Sequence, residues 1–317
     1  MKRPRIVFFG TPEFAVPSLQ ELIARNEAII AVVTQPDRPV GRGQKVKPSP
    51  VKELALKHYL PVLQPERVRR PDFLNTFCSL KPDLAVVVAF GQIFPLALLE
   101  IPRHGFINVH SSLLPAYRGA APINRAIING EAETGVTIMQ LDAGMDTGAI
   151  LLQDPMPILP QDTAATLHDR LAVLGAKLLG KALDQLNDGA WAPVAQDEAR
   201  ATYAAMMKKE DGLIDWGKDA RSLVNQVRGM TPWPGCFTFL DDKMLKIHRA
   251  GAIEKSHREQ PGTVVTAEPA GIEVAAGRGS VLLQEVQLEG KKRMSAGDFL
   301  KGYRCAAGMR LAGGLRL

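Results

Sequence analysis

The sequence predicts an α/β unit, a mostly parallel sheet with helices on both faces, followed by a small β-barrel. Three observations predict it. In the first 189 residues, apolar runs of strand length alternate with stretches of helical periodicity. After residue 236 the pattern changes to brief strands separated by Gly, Pro and Asp. Between them lies an irregular stretch with Trp191, Pro193 and Tyr203 and neither period. A chain of 317 residues suits about two domains. The expected division is a first domain at 1–189, a linker at 190–208 and a second domain at 209–317.

Residues 5–10 (RIVFFG) form a buried-strand pattern that ends at a glycine. Pro12 suits the first turn of a helix, and Phe14, Val16, Leu19, Leu22 and Ile23 recur at helical spacing. Residues 28–34 (AIIAVVT) read as a second apolar strand. Strand, helix and strand of this length make a βαβ unit, so the two strands run parallel and the fold is Rossmann-like. No Gly-x-Gly-x-x-Gly follows the first strand and no Walker A motif occurs, so the usual dinucleotide and NTP cradles are absent. Residues 35–49 read as a long loop carrying Arg38, Arg42, Lys45 and Lys47. Loops of this length are usually functional or disordered, and basic side chains favour a polyanion. A solvated surface loop is the competing reading.

Residues 50–59 and 70–80 read as helices, 60–63 as a short strand and 83–89 (DLAVVVA) as a buried strand. That strand runs into a turn, Phe90-Gly91-Gln92-Ile93-Phe94-Pro95, a candidate pocket wall. Residues 105–110 (GFINVH) are a strand that becomes a polar loop. A helix at 121–129 opens with Pro122, and strands at 134–140 and 149–155 flank a loop with Asp142 and Asp146. Leu167, Leu171, Leu174, Leu178, Leu183 and Leu186 mark a long amphipathic helix over 163–188, stopped by Asn187-Asp188-Gly189. Strands at 237–240, 243–250, 262–266, 271–275 and 280–289 lie between helices at 221–228 and 295–303. Short strands of this kind suggest an OB-like barrel, an architecture that often binds oligonucleotides.

Hydrophobic content of 46% and charged content of 23% are ordinary for a globular enzyme. No apolar run approaches a membrane span, and IVFFG is too short for a signal-peptide core. A cytoplasmic location is expected, with no membrane partner. Cys78, Cys236 and Cys305 form no Cys-x-x-Cys pair, so neither a disulfide nor a metal site is expected and all three read as reduced packing residues. The net charge of +6 matters only where it clusters, and it clusters in the 35–49 loop.

The chemistry centres on Asn108 and His110. Two residues apart on a strand, they share a face. Ligands of open α/β sheets bind at the carboxyl ends of strands. Asn108 offers a neutral amide donor, and His110 can hold or release a proton. Asp146 could fix one tautomer of that imidazole. Such a set suits attack of an amine on a carbonyl carbon. No Gly-x-Ser-x-Gly elbow is present, so direct transfer is simpler than an acyl-enzyme. The competing reading makes His110 a structural residue and Asp142 and Asp146 turn formers.

The stretches NVHSSLLPAYRGAAPINRAI and TGVTIMQLDAGMDTGAIL closely resemble the folate-dependent formyltransferases. FFGTPEFAVPSL, TQPDRPVGRG and VRGMTPWPGCFT extend the resemblance along nearly the whole chain. It implies Asn108, His110 and Asp146 as a catalytic trio. It implies 10-formyltetrahydrofolate as formyl donor, with no metal, and the methionyl amino group of initiator methionyl-tRNA as acceptor. Ser112, Leu113, Leu114 and Pro115 match the folate-binding segment, with Gln92 and Asp142 bordering the pterin. Arg38, Arg42, Lys45 and Lys47 would meet the acceptor stem, Arg42 matching the family's key arginine. A monomer is expected. Phe90, Phe94 and Ala116 depart from the family's more frequent Tyr, Leu and Lys. The rival acceptor is an amino-sugar nucleotide. A purine-pathway enzyme needs no basic second domain, and a non-catalytic RNA-binding protein is the reading from another class.

Overall fold

The computed structural model describes residues 3–40, 45–255 and 257–312. Its contacts divide the chain into two compact units. The first comprises Met1–Pro122, Glu133–Pro157 and His168–Ala204, and the second Ile123–Ala132, Ile158–Leu167 and Ala205–Leu317.

In the first unit, strand β1 (Arg5–Gly10) leads through a single 3-10 turn to helix α1 (Val16–Ala24) and strand β2 (Ala28–Val33). β3 (Arg38–Val40) and β4 (Lys45–Lys47) follow, then α2 (Pro50–Lys57), β5 (Val62–Leu63), α3 (Pro71–Ser79), β6 (Leu84–Val88), α4 (Leu96–Leu99), β7 (Phe106–His110) and β8 (Arg118–Gly119). Helix α5 (Pro122–Ile128), which falls in the second unit from Ile123 on, precedes β9 (Glu133–Gln140), β10 (Ile150–Pro157), α6 (Ala164–Asn187, in the first unit from His168) and β11 (Tyr203–Ala204). The main sheet has the order β10-β9-β7-β6-β1-β2-β5. β7, β6, β1, β2 and β5 are parallel, while β9 runs against β7 and β10 against β9.

The parallel strands are apolar without alternation because both faces are covered: every residue of β6 is buried. One face packs around Phe9, whose ring lies 5.3–5.7 Å from those of Phe77, Phe90, Phe94 and Phe106. Truncating such a buried aromatic to Ala costs about 3–5 kcal/mol. On the other face, α6 comes so close to β7 that a Cβ at Gly175 would sit 2.7 Å from Val109 Cγ1. Ser49 caps α2, accepting from the Lys52 amide at 3.1 Å, with Pro50 at the first helical position.

The structure revises four expectations. The 35–49 stretch is not an irregular loop throughout, since β3 and β4 pair as an antiparallel hairpin. The four-residue helix α4 was not expected, because LALL is too short to show a period. Cys78 is exposed on α3 and packs no core; Cys236 is buried, its thiol pushed up to about 12 by burial alone. The stretch read as a linker, 190–208, is hydrogen-bonded into the first unit as far as Ala204. Val194 bridges Ile150, and β11 pairs in parallel with β8.

In the second unit, α7 (Ala220–Gly229) precedes β12 (Cys236–Leu240), β13 (Lys243–Ile253), β14 (Val264–Glu268), β15 (Gly271–Ala275), β16 (Ser280–Leu288), β17 (Met294–Ser295) and α8 (Ala296–Gly302). The antiparallel sheet runs β12-β13-β16-β15-β14, with β17 on β16. β12 alternates buried and half-buried residues, as a strand covered on one side does. The two-residue turn to β13 places Asp241 and Asp242 at positive φ, the primed geometry that matches strand twist. The barrel is OB-like but is not closed by direct pairing of β12 with β14. Instead Phe239 bridges Ala312, and Thr263 bridges Arg310.

Candidate active site

His110 ends β7 and is 6% exposed. Its Nε2 lies 3.1 Å from the carbonyl oxygen of Tyr117. A carbonyl only accepts, so Nε2 carries the proton of this contact. Nδ1 then faces Asp146 Oδ1 at 3.7 Å, beyond hydrogen-bond range but within reach of a charge interaction. The other carboxylate oxygen of Asp146 accepts from the Gly119 amide at 2.8 Å. The side chain of Asn108, half-buried two residues before His110, has no protein hydrogen-bond partner among the described residues. His110 and Asp146 are therefore brought together, with Asn108 two residues before His110 on the same face of β7.

The route by which Asp146 arrives differs from expectation. β9 runs against β7, so its loop leaves the sheet at the starting end of β7, where the Leu141 amide donates to the Phe106 carbonyl at 2.9 Å. Residues 141–149 must fold back along the strand to bring Asp146 to His110. A close approach at the loop's base permits this, because a Cβ at Gly148 would lie 1.9 Å from the Gln140 carbonyl oxygen. Asp142 is exposed, and its Oδ1 accepts from the Gly144 amide at 3.0 Å and the Thr147 hydroxyl at 2.7 Å. Asp142 thus shapes the loop, while Asp146 is aimed at the imidazole.

Asp146 (φ 54°) and Tyr117 (φ 60°) both adopt left-handed backbone. Asp tolerates this region, but a bulky residue rarely adopts it, and such strain costs on the order of 1–3 kcal/mol. Tyr117 is held in place by its neighbours. Its amide donates to the Thr202 hydroxyl at 2.8 Å, and the next amide, Arg118, to the Thr202 carbonyl at 2.8 Å. Thr202 and its segment carry no motif, and sequence reasoning missed them.

The segment after His110 is largely satisfied within itself. The Ser112 hydroxyl donates to the Ala116 carbonyl at 2.6 Å, and Leu114 is buried. Leu113 and Pro115 are half-buried and supply the segment's accessible faces. Gln92 is similarly committed. Its oxygen accepts from the Val68 amide at 2.9 Å, and its nitrogen donates to Gln35 Oε1 at 3.2 Å and to the Glu66 carbonyl at 3.3 Å. Beside this turn lies a cavity of about 930 Å3, lined by Gln35, Arg38, Arg67, Arg69, Phe90 and Ile93 among others. Asn108, His110 and Asp146 do not line it. The meeting of an imidazole and a carboxylate beside an unengaged amide makes His110 the better candidate for chemistry.

Of the basic residues, Arg38 and Lys47 are paired across the β3–β4 hairpin and exposed. Lys45 lies on β4, and Arg42 lies outside the described residues. Among the described residues no helix is long and apolar enough to cross a membrane.

With this geometry in place, similarity to known proteins becomes informative. The pattern of the family described as Formyl transferase matches residues 4–183, and that of Formyl transferase, C-terminal domain, matches 206–304. The chain is 57% identical over 304 residues to the methionyl-tRNA formyltransferase of Citrifermentans bemidjiense, covering 96% of this chain and 95% of that one. It is 56% identical over 307 residues to the methionyl-tRNA formyltransferase of Geotalea daltonii, covering 97% and 98%. A solved N-formyltransferase from Helicobacter canadensis, bound to folinic acid and dTDP-3-aminofucose, has the same fold. Its TM-score is 0.65 at 20% identity, over 89% of this chain and 99% of that one. Two matched domains and full-length identity above one half place this chain in the formyl transferase family.

Proposed function

We infer that this protein transfers a formyl group from 10-formyltetrahydrofolate to the α-amino group of methionine on initiator methionyl-tRNA. The observation that carries the reading is identity of 57% across both units with a relative that bears that activity in its name. The sugar-modifying neighbour shares the fold at 20% identity, too little to carry its acceptor over. The first unit would perform the chemistry, and the second, with the β3–β4 hairpin, would hold the tRNA. A monomer working in the cytoplasm fits this role.

The folate carrier supplies an electrophilic formyl carbon and a nitrogen leaving group. Leu113, Pro115 and the 141–149 loop would border it, and the turn at Gln92 would contribute backbone groups, because the Gln92 amide is already engaged. Asn108 would donate its amide to the formyl oxygen as the methionyl nitrogen attacks. A donor aimed at a developing oxyanion lowers the barrier by about 2.7–4 kcal/mol. The Nδ1 face of His110 is the free one, since Nε2 is bound to Tyr117. There the imidazole can take the proton lost by the attacking amine and pass it to the departing folate nitrogen. Asp146, at 3.7 Å, stabilises the charged ring and orients it. The new C–N bond forms, the folate C–N bond breaks, and the proton moves from one nitrogen to the other.

The test is a formyl-transfer assay with initiator methionyl-tRNA, elongator methionyl-tRNA and a dTDP-amino sugar side by side. Product with the initiator form is expected. Turnover of the sugar nucleotide alone would replace this reading with the sugar-modifying one.

A further inference from the structure

The sequence treats 190–208 as a linker, but its middle carries a polar network that reaches both loops of the site. Arg118 has no exposed surface. Its guanidinium makes a bidentate pair with Glu198, Nη1 to Oε2 at 2.9 Å and Nη2 to Oε1 at 2.7 Å. Nε and Nη2 also donate to Gln196 Oε1 at 3.0 and 2.9 Å. Gln196 Nε2 donates in turn to the Asp146 carbonyl at 2.8 Å and the Gly148 carbonyl at 2.7 Å.

Only a glutamine-like side chain meets these demands. Arginine can only donate, so it needs the amide oxygen; the two carbonyls can only accept, so they need the NH2. The same strap holds the other partner of His110, because Thr202 accepts from the Tyr117 amide while the Tyr117 carbonyl meets Nε2. Both groups facing the imidazole are therefore held by residues 196–202, each at a residue whose φ is positive. On the reading given above, a shift of either would disturb the ring's proton transfer.

We propose that Gln196, held by Arg118 and Glu198, is a positioning residue for catalysis: it fixes the backbone of Asp146 and so the carboxylate's place beside His110. The proposal rests on the assignment of His110 and Asp146 to the chemistry.

Two substitutions test it. Gln196→Leu removes the whole network contact. Gln196→Glu keeps an acceptor for Arg118 but replaces the donor to the 146 and 148 carbonyls with a carboxylate oxygen that repels them. Each should lower kcat about 100-fold, the size of effect that misplacement by about 1 Å produces. KM for the folate donor should stay within about threefold of wild type. In an Asp146→Asn background the same changes should add less than about threefold, because residues acting through one another are not additive. The ring 15N signals of His110 in the free protein should also move in Gln196→Leu, since they report the imidazole's tautomer and partners. Equal, full-size losses with and without Asp146, or activity close to wild type, would overturn the proposal. If Gln196→Leu does not fold, Gln196→Glu decides. If the wild-type protein formylates no acceptor tried, the function reading fails by itself, and the ring signals alone decide the role of Gln196: unchanged signals overturn it.

Discussion

β6 and β7 are parallel neighbours, and each delivers an amide side chain near its carboxyl end. Gln92, in the turn after β6, has its oxygen and nitrogen occupied by Val68, Gln35 and Glu66. The Asn108 side chain, on β7, has no protein hydrogen-bond partner among the described residues, and the restraint around it is applied instead to backbone groups of the adjoining loops by the 194–204 segment. In one place side chains hold the backbone. In the other the backbone is held from outside, and the side chains are left for a ligand. Position at a strand end nominates a residue; whether its polar atoms are already engaged decides what it can do.

Substitutions can break this contrast, in descending order of effect. His110→Ala should lower formyl transfer by about 10²–10⁴-fold, the usual contribution of a general acid–base residue, with tRNA binding retained in a filter or shift assay. Loss of binding in parallel would make His110 structural. Asn108→Ala should lower kcat by about 10²–10³-fold with little change in melting temperature. Gln92→Leu should do the reverse. It leaves the Val68 amide and the Glu66 carbonyl short of a partner, so stability should fall by about 1–3 kcal/mol in denaturant unfolding while kcat holds. If Gln92→Leu affected kcat more than Asn108→Ala, the contrast would be inverted.

The smallest effect concerns pH. The hydrogen bond from the Arg118 guanidinium holds the Glu198 carboxyl below the usual range, and desolvation opposes it. A lowered folded-state pKa gives a contribution that is present above the ordinary glutamate range and lost as pH falls through the depressed value. Stability should therefore show a shallow acid limb below that range. Glu198→Gln should flatten it while retaining most activity at pH 7. An unaltered limb would place the titration elsewhere.

The sheet was readable because parallel strands covered on both faces are apolar at every position, as in LAVVV of β6. Side-chain chemistry makes Asp146 a candidate partner of His110, the resemblance makes it the expected one, and the structure brings the two to 3.7 Å. The restraints on the site were not readable. Gln196 reaches back to Arg118, 78 residues earlier, and to carbonyls 48 and 50 residues earlier, through groups with no periodicity. The Gln92 partnership fails for the same reason, since Val68 lies 24 residues away in a loop. Turn chemistry hid the β3–β4 hairpin, whose strands are three residues each and rich in charge and proline.

The contact between α6 and β7 has a consequence for how this chain can change over generations. Val109 lies between Asn108 and His110 and points the other way, toward Gly175. A methyl group at 175 would press on a stiff, β-branched neighbour with nowhere to turn. The strand would have to yield toward the substrate side. Drift at the back of the strand is thus restrained by what happens at its front. Position 175, which touches no reactant, should tolerate fewer replacements than many residues that line the cavity.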